Sequence, residues 1–335
     1  MSFRAFLALL IFAGVGRGQE ASAGIDLRAT LSVGMIDGRS PGFRAVVYPT
    51  IKLDEHWSFS GAVQFHSVPF FVDEMRLSGH SLKTDVLQGT LNYSRFWHRG
   101  SLVLRTGALS SAFGSFLLRY DDAVNPLINS PRSYGYYYEP VTTLGLMGVE
   151  ASGTYGRIDA RAQFTNSSPA NRRSVFSHDQ YGDWTAGGGY TIREGLRAGA
   201  SFYTGPYLDQ NFAFYFPGEA PPHQLPARAF GIDAQWAAGH WNIEGELQRF
   251  VMHYRLIPDF RMQAEYIELR RVLHPRWFVA ERTSNQAYEA VVGFRPNTHQ
   301  IIKAGYGVDN ITGAWTRRVQ LQVVTTLHPV SIARR

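Results

Sequence analysis

Charged side chains recur at every second position in short segments that are otherwise apolar or small. Asp26 and Arg28 are spaced in this way, and so are Asp159 and Arg161. In a β-strand this spacing puts the charges on one face and the apolar residues on the other. If the charged face lines a water-filled channel, fixed arginines and carboxylates bias which ions enter. The chemistry that these residues predict is therefore ion and solute selection.

Patterns typical of catalysis are missing from the sequence. There is no G-x-S-x-G elbow and no H-E-x-x-H pair. The Ser-His-Asp run at 177–179 is contiguous, whereas a working triad converges from separate segments. Asp121 and Asp122 lack the further ligand spacing of a calcium site. We expect no enzyme, no cofactor and no metal, and a barrel-embedded hydrolase is the alternative that such a chain leaves open.

Alternating segments fill the chain after residue 23 and predict an all-β fold. In 25–33 every odd position is apolar and every even one is polar. Repeated from end to end, this pattern is typical of a transmembrane antiparallel β-barrel of about 16 strands. Fourteen or 18 strands also fit, because apolar and polar residues do not alternate clearly in 255–285. The predicted strands are 25–35, 42–53, 57–67, 83–97, 101–109, 141–152, 157–166, 182–191, 196–205, 227–237, 241–254, 261–273, 276–283, 287–295, 299–309 and 317–327.

The connections between these segments alternate in length. Short ones have turn compositions, whereas 68–82, 110–140, 167–181 and 206–226 are long. Short periplasmic turns and longer outer loops produce this alternation in outer-membrane barrels. Several tryptophans lie beside the short turns, where an aromatic ring with a polar N–H is stable at a membrane interface. We predict a membrane girdle of Trp57, Trp97, Trp236, Trp241 and Trp277.

The first residues have the features of an export signal. A basic start precedes an apolar run at 5–15, and Ala21-Ser22-Ala23 fits the small-residue cleavage rule. We therefore predict a signal peptide at 1–23, a barrel at 24–327 and a tail at 328–335. The apolar run is too short for a membrane-spanning helix. Export of an amphipathic β chain predicts the bacterial outer membrane as its location, with lipid and lipopolysaccharide as partners.

The longest connection, 110–140, is rich in aromatic residues and prolines, which argue against disorder. A loop of this length without secondary structure is usually functional. It follows the fifth predicted strand. Its candidate functional residues are Arg119, Asp121, Asp122, Arg132, Tyr134, Tyr136 and Glu139.

The chain resembles a sixteen-stranded bacterial porin over essentially all of 24–327. Some short sequence segments are similar to those of porins of the phosphate-selective type. They are 113–114 with 125–127, the strand 241–246, and 275–278 with Arg282. The resemblance implies that the long third outer loop folds into the lumen and narrows it, and that the protein forms a homotrimer. One departure is the end of the barrel, since such chains usually close on an aromatic residue and this one closes on Leu327.

From strand parity and this resemblance we expect a constriction with a basic wall opposite a mixed, tyrosine-lined loop. The expected function is passive diffusion of small hydrophilic solutes with a mild preference for anions. A channel specific for sugars or polymers, or an exporter, is the main alternative. Nucleic-acid binding is not expected, because the arginines are dispersed at period two, although the formal charge is +6. The wall residues are Arg28, Arg44, Lys52, Arg105 and Arg161.

Overall fold

The structure is a computed structural model that describes residues 24–37, 41–68, 70, 80–134, 144–166, 181–206, 208, 217–310 and 313–333. The predicted signal peptide at 1–23 lies outside the described residues. So do Tyr136, Glu139 and the run 177–179, and the side chain of Arg119.

Sixteen β-strands form almost all of the described structure, as the alternating pattern predicts. Most of their ends lie within a few residues of the predicted ones. The strands are β1 (Gly24–Ile36), β2 (Gly42–Lys52), β3 (Trp57–Val68), β4 (Ser81–Trp97), β5 (Gly100–Leu109), β6 (Leu146–Tyr155), β7 (Ile158–Thr165), β8 (Asp183–Arg193), β9 (Leu196–Pro206), β10 (Pro226–Ala238), β11 (Trp241–Met252), β12 (Phe260–His274), β13 (Trp277–Ser284), β14 (Ala287–Asn297), β15 (Gln300–Asp309) and β16 (Thr316–Ala333).

The sheet closes on itself. Every strand is antiparallel to its neighbours in the sequence, and β1 also pairs with β16. Thr30 shows the closure, because its partners are Val46 of β2 on one side and Thr326 of β16 on the other. A closed sheet leaves no strand edge unpaired, which is the condition for β-structure in lipid. The prediction of a transmembrane β-barrel fold is confirmed, and the strand count is sixteen rather than 14 or 18.

Side chains alternate between an apolar outer face and a polar interior. In β1, Leu31 and Val33 are exposed on the outside, whereas Ser32 between them is buried. The sequence did not show which residues of 255–285 face outward. In the structure, Ile267 of β12 points outward and Glu268 points inward. The register of β12 is set by its pairing with β11 and β13, and this pairing leaves some charged residues on the outer face.

Short turns connect the strands at one end of the barrel, which we call the turn side. The long connections join them at the opposite end, the loop side. In the β2–β3 turn, Asp54 Oδ1 accepts the backbone N–H groups of His56 and Trp57, both at 2.7 Å. These bonds hold the pKa of the Asp54 carboxyl below its usual range. Within the described residues, no helix combines the length and the apolar character needed to cross a bilayer.

Two strand boundaries differ noticeably from the prediction. Strand β6 begins at Leu146 rather than at 141, and 141–143 lie outside the described residues. Strand β16 continues through Ala333, past the predicted end of the barrel at 327, because β1 offers it partners as far as Gly24. The segment predicted as a tail therefore pairs in the sheet for most of its length.

Candidate pore constriction

The described part of the connection between β5 and β6, residues 110–134 with 144–145, folds into the barrel, and we call it the constriction loop. Its side chains Phe113, Phe116 and Leu127 are fully buried. Phe113 packs against Phe250 of β11 with the ring centroids 5.9 Å apart, and Phe116 meets Tyr266 of β12 at 6.3 Å. Apolar residues of the loop are thus buried against the inner face of the wall, and this burial drives the loop inward.

Glu246 of β11 anchors the start of the constriction loop to its later part. Its carboxylate accepts the Tyr134 hydroxyl at 2.7 Å and the Ser115 backbone N–H at 3.3 Å. Burial, followed by the adjacent Glu246 charge, raises the pKa of Tyr134 well above its usual range, so this phenol stays a donor. Gly114 makes the close approach feasible, because a Cβ there would lie 1.9 Å from the Tyr134 hydroxyl, and its φ is +73°.

Lys303 of β15 holds the middle of the constriction loop through backbone carbonyls. Its ammonium donates to the oxygens of Asp122 at 2.7 Å, Asn125 at 2.8 Å and Leu127 at 3.1 Å. The lysine side chain is fully buried. Three carbonyl dipoles directed at one ammonium replace the water that a buried cation would otherwise lose.

Strands β13 and β14 also bind the middle of the constriction loop. Arg282 of β13 donates to the Asn129 carbonyl at 2.7 Å and is itself paired with Glu268 of β12 at 2.7 Å. Glu289 of β14 accepts the backbone N–H groups of Ile128 at 2.9 Å and Asn129 at 3.2 Å. Buried charges with several hydrogen bonds of this kind fix a segment in one geometry. The loop therefore lies fixed against β11–β15.

Strand β2 also holds the loop. Arg44 of β2 pairs with Asp122 at 2.9 Å, and its guanidinium lies 4.4 Å from the ring centre of Tyr120. The Tyr48 hydroxyl donates a hydrogen bond to the neighbouring Asp121. Because Arg44 is 2 % exposed, it acts as an anchor of the loop.

The open part of the lumen is a cavity of about 860 Å³ beside the constriction loop. Its lining comes from β1–β10, from Thr326 of β16 and from the loop, with no contribution from β11–β15 among the described residues. The charged members of the lining are balanced in number. They are Arg28, Arg105, Arg161 and Arg197 together with Asp121, Glu150, Asp159 and Asp233.

Most of the lining carboxylates are paired with arginines of the same wall. Arg105 forms an ion pair with Glu150 of the next strand. Arg197 of β9 binds Asp233 of β10 at 2.6 Å and reaches over β8 to Asp159 of β7, also at 2.6 Å. The crossing passes over Gly189, where a Cβ would lie 2.2 Å from the guanidinium. The absence of a side chain at Gly189 therefore permits the close approach of Arg197.

Two lining arginines have no carboxylate partner among the described residues. The Arg161 guanidinium donates to the backbone oxygen of Gly114 in the constriction loop. Arg28 is exposed, with no hydrogen bond or ion pair in the described part of the chain. These two cations therefore face the solute with their charge uncompensated by a salt bridge.

No family model matches the chain, and no curated protein matches it. Solved structures do match. Salmonella typhi OmpF in complex with daunomycin aligns with a TM-score of 0.62 at 9% identity, covering 90% of this chain and 97% of that one. This is the porin fold. An anion-selective porin from Comamonas acidovorans gives 0.60 at 12% identity over 92% and 100%. Pseudomonas putida OprB at high pH gives 0.55 at 9% over 97% and 97%.

Within the porin fold, the predicted wall and loop residues separate into two groups. Arg28, Arg105, Arg161 and Asp121 line the open cavity. The buried anchors of the constriction loop are Arg44, Asp122 and Tyr134.

Two other predicted residues are not among the described residues that line the cavity. Lys52 is exposed at the end of β2. Arg132 donates its backbone N–H to Ser284 at 3.2 Å and its guanidinium to the Asn285 oxygen at 3.1 Å, at the loop-side end of β13. The neighbouring Tyr134 is enclosed against Glu246, so it does not offer its ring to a solute.

The porin fold also shows contacts that our site prediction omitted. Inward positions of the strands hold Arg197, Asp159, Asp233, Glu246 and Lys303, but nothing in the sequence indicates which of them pair with each other or with the loop. Arg282, Glu268 and Glu289 were not predicted as loop anchors. The one available signal is that all three are charged residues at inward-facing positions of strands β12–β14.

The tryptophans predicted as a girdle lie beside the short turns of the porin-fold barrel. Trp57, Trp97, Trp241 and Trp277 are exposed on its surface. Trp236 is half-buried near the end of β10. Their common level at the turn side is the position expected of an interfacial belt. The girdle role itself stays a prediction.

Proposed function

We propose that this protein is a passive diffusion channel for small hydrophilic solutes in the bacterial outer membrane. The observation that carries the proposal is the constriction loop, which is attached to β11–β15 and leaves a cavity with charged lining residues along β1–β10. A loop held by buried charge-assisted bonds narrows the lumen without closing it. Such an arrangement supports sieving of solutes by size and charge.

We further propose a mild preference for anions. Arg28 and Arg161 face the cavity without a carboxylate partner in the described residues, whereas Glu150, Asp159 and Asp233 are each paired with an arginine. This excess is opposed by Asp121, which binds the Tyr48 hydroxyl, and by the second carboxylate on Arg197, which pairs with both Asp159 and Asp233. Unpaired charges dominate the field in a channel because paired ones largely cancel. The near balance of the lining makes the expected preference small.

Planar-bilayer recording of the refolded protein tests this function. In a KCl gradient, long-lived current steps and a reversal potential on the chloride side are expected. A folded, inserted barrel that carries no current would contradict the channel, and a reversal potential on the potassium side would contradict only the anion preference.

A channel specific for one solute is the second candidate. Some short sequence segments are similar to those of phosphate-selective porins. If the channel is of this type, millimolar phosphate should block the chloride current in a saturable manner. A sugar or polymer channel predicts block by an oligosaccharide instead. The cavity offers Tyr48 and Tyr120 as aromatic surfaces, whereas Tyr134, a predicted functional residue of the loop, is buried. Because phosphate suits unpaired guanidinium groups, we favour phosphate as the first probe.

The remaining expectations belong to this proposal too. A homotrimer is testable by mass measurement in detergent, and lipid and lipopolysaccharide are the expected surroundings. We propose no enzymatic activity, and hydrolysis of long-chain esters by the folded barrel would overturn that view. The described residues contain no group of three or more His, Cys, Asp or Glu side chains that could hold a metal ion.

A further inference from the structure

The outer face of the barrel carries three exposed arginines near the loop side of adjacent strands. They are Arg228 on β10, Arg249 on β11 and Arg261 on β12. Their outward direction follows from the alternation, because Phe230 and Leu247 are exposed apolar residues two positions along the same strands. We call Arg228, Arg249 and Arg261 the outer arginine cluster.

The register of these strands brings the three arginines together around one position. Val251 of β11 pairs with Arg228 on one side and with Arg261 on the other. Arg249 is two residues from Val251 on the same face. Paired residues on neighbouring strands are about 5 Å apart, and same-face residues within a strand about 7 Å. Three guanidinium groups can therefore converge on a single anion.

None of the three arginines has a hydrogen bond or an ion pair to another described residue. Two carboxylates lie nearby. Glu265 pairs with Leu247 in the register and accepts a hydrogen bond from Gln263 at 2.8 Å, and Asp259, two residues before Arg261, is paired with His253 at 3.1 Å. The cluster therefore has more positive than negative charge. An arginine that faced hydrocarbon without a partner would be costly.

The height of the cluster on the barrel explains how this cost is avoided. Arg249 lies eight residues along β11 from Trp241, which is exposed beside a turn. With strands tilted by about 40°, this is roughly 20 Å along the membrane normal, close to the height of the apolar band. The cluster thus lies at the level of the outer head groups, directly above the exposed apolar residues Phe230, Leu247 and Ile267.

The other described strands show no comparable grouping of outward arginines. Outside β10–β12, outward arginines occur singly, as Arg95 on β4 at the turn side and Arg317 on β16 at the loop side. On β1–β3 and β5–β9, the outward positions that the structure describes carry no charged residue. General contact with water would not place three arginines on three adjacent strands and none on those eight. The cluster is therefore a built feature of the β10–β12 face.

We propose that the outer arginine cluster binds the phosphate of a lipid head group in the outer leaflet, with the acyl chains lying on the apolar residues below it. A guanidinium binds phosphate through two parallel hydrogen bonds, and a doubly charged phosphate matches the excess positive charge. Apolar surface directly beneath the cations is what a phosphorylated lipid needs and what free phosphate does not use. The proposal rests on the outer-membrane location in the proposed function, but not on conduction.

A second copy of this chain is the competing occupant. It would have to present carboxylates to the cluster, yet the outward strand positions that the structure describes hold only two, Glu265 and Glu281. Both lie on the same side of the barrel as the arginines. Charge complementarity therefore favours the lipid.

The test is a binding titration of the refolded full chain in detergent, with two probes. One is a diphosphorylated lipid A, and the other is the same lipid after removal of its phosphates. The wild type is expected to prefer the phosphorylated form. Replacing Arg228, Arg249 and Arg261 together by Gln should weaken binding by about five-fold for each arginine, or about 100-fold in all, with no change for the dephosphorylated lipid.

Arg271→Gln is the matched control. Arg271 also faces outward on β12, but at the turn side, where its guanidinium lies 4.7 Å from the ring centre of Trp241. This variant should keep the preference for phosphorylated lipid. Heat-modifiable migration on a gel checks that each variant is folded. Because the readout is binding, a barrel that binds lipid but carries no current would contradict the proposed channel and leave this inference intact.

Three outcomes would overturn the proposal. The first is equal binding of both lipids by the wild type. The second is an unchanged preference in the folded triple variant. The third is complete displacement of the lipid by inorganic phosphate at millimolar concentration, which would indicate a site for a free anion. A change of oligomeric mass in the triple variant without a change in lipid preference would assign the face to self-association instead.

Discussion

The ammonium of Lys303 lies 2.7 Å from the backbone oxygen of Asp122, so a side chain of the barrel wall binds the backbone of the constriction loop. Two further carbonyls, from Asn125 and Leu127, converge on the same ammonium. The lysine takes the place that a bound cation would take among three oxygens. The position of the loop thus depends on a side chain that is distant in sequence and fully buried.

Replacing Lys303 with Met keeps the length of the side chain and removes its three hydrogen bonds. A hydrogen bond to a charged group contributes about 1.5–3 kcal/mol, so the attachment of the loop should weaken by at least that amount. We expect a folded barrel with noisier open-channel current and additional conductance levels. Lys52→Met, at an exposed strand end, is the control. A K303M channel as quiet as the K52M channel would show that the lysine does not hold the loop.

Ion selectivity should move in opposite directions when different lining charges are removed. Arg161→Gln removes an arginine without a carboxylate partner, and Glu150→Gln frees Arg105 from its ion pair. The first should lower the chloride-to-potassium permeability ratio and the second should raise it, each by about two- to three-fold, as expected for one charge several ångströms from an ion in water. Reversal potentials in a KCl gradient measure both. Shifts in the same direction would contradict the assignment of Arg161 as an uncompensated charge.

Gly114 and Gly156 allow a matched comparison of two backbone positions with positive φ. Gly156→Ala meets no atom within 4 Å, so it should cost only the left-handed conformation, about 1 kcal/mol. Gly114→Ala adds a collision with the Tyr134 hydroxyl and the Glu246 carboxylate. We expect Gly114→Ala to displace the constriction loop and change conductance, and Gly156→Ala to leave conductance unchanged. Equal behaviour of the two variants in single-channel recordings would exclude a tight contact at Gly114.

Glu219 should make one pair of loop-side connections sensitive to acid. Partial desolvation would raise the pKa of its carboxyl, but the backbone N–H groups of Leu256, Ala220 and Arg255 outweigh it and lower the pKa. A carboxyl with a lowered folded pKa stabilises above its unfolded pKa of about 4.3, and this stabilisation is lost as pH falls through the folded value. The protection factors of the Arg255 and Leu256 amides, which are exchange rates corrected for their intrinsic pH dependence, should therefore fall as the pH drops through the folded pKa of Glu219.

The control for this prediction is Glu219→Gln. Its neutral amide accepts hydrogen bonds more weakly, so exchange at the two amides should be faster than in the wild type at neutral pH. It should also lack the acid-dependent step. An acid-dependent step that persists in E219Q would assign the titration to another group.

The barrel could be predicted from the sequence because its physics is local. Each strand needs an apolar face toward lipid and a polar one toward water, and this produces the period of two in β1 and β7. The turns and the neighbouring tryptophans then limit the strand ends. Strand β12 resisted this approach because Glu265 and Arg271 face outward while Glu268 faces inward, so its register depends on the strands on either side.

The constriction could be predicted only in part. The alternation of side chains along β7 predicted that Arg161 faces the lumen. The composition of the long loop indicated that the loop is functional. The sequence does not indicate, however, that Arg44 is covered by Asp122 and Tyr120, or that Arg197 reaches Asp159 across an intervening strand. These contacts join residues that are distant in the chain or separated by a strand, and they depend on the path of the loop inside a closed wall.

The attachment of the constriction loop to β11–β15 also divides the wall into two territories. Along those strands the interior is packed like the core of a soluble protein, with Leu127 enclosed by Phe278 and Val291. Along β1–β10 the wall lines the open cavity, although some inward side chains there, such as Arg44 and Tyr203, are also buried. Permeability can therefore be redesigned at the cavity-lining positions without disturbing the packed strands, and the width of the passage is set by part of the circumference rather than by all sixteen strands.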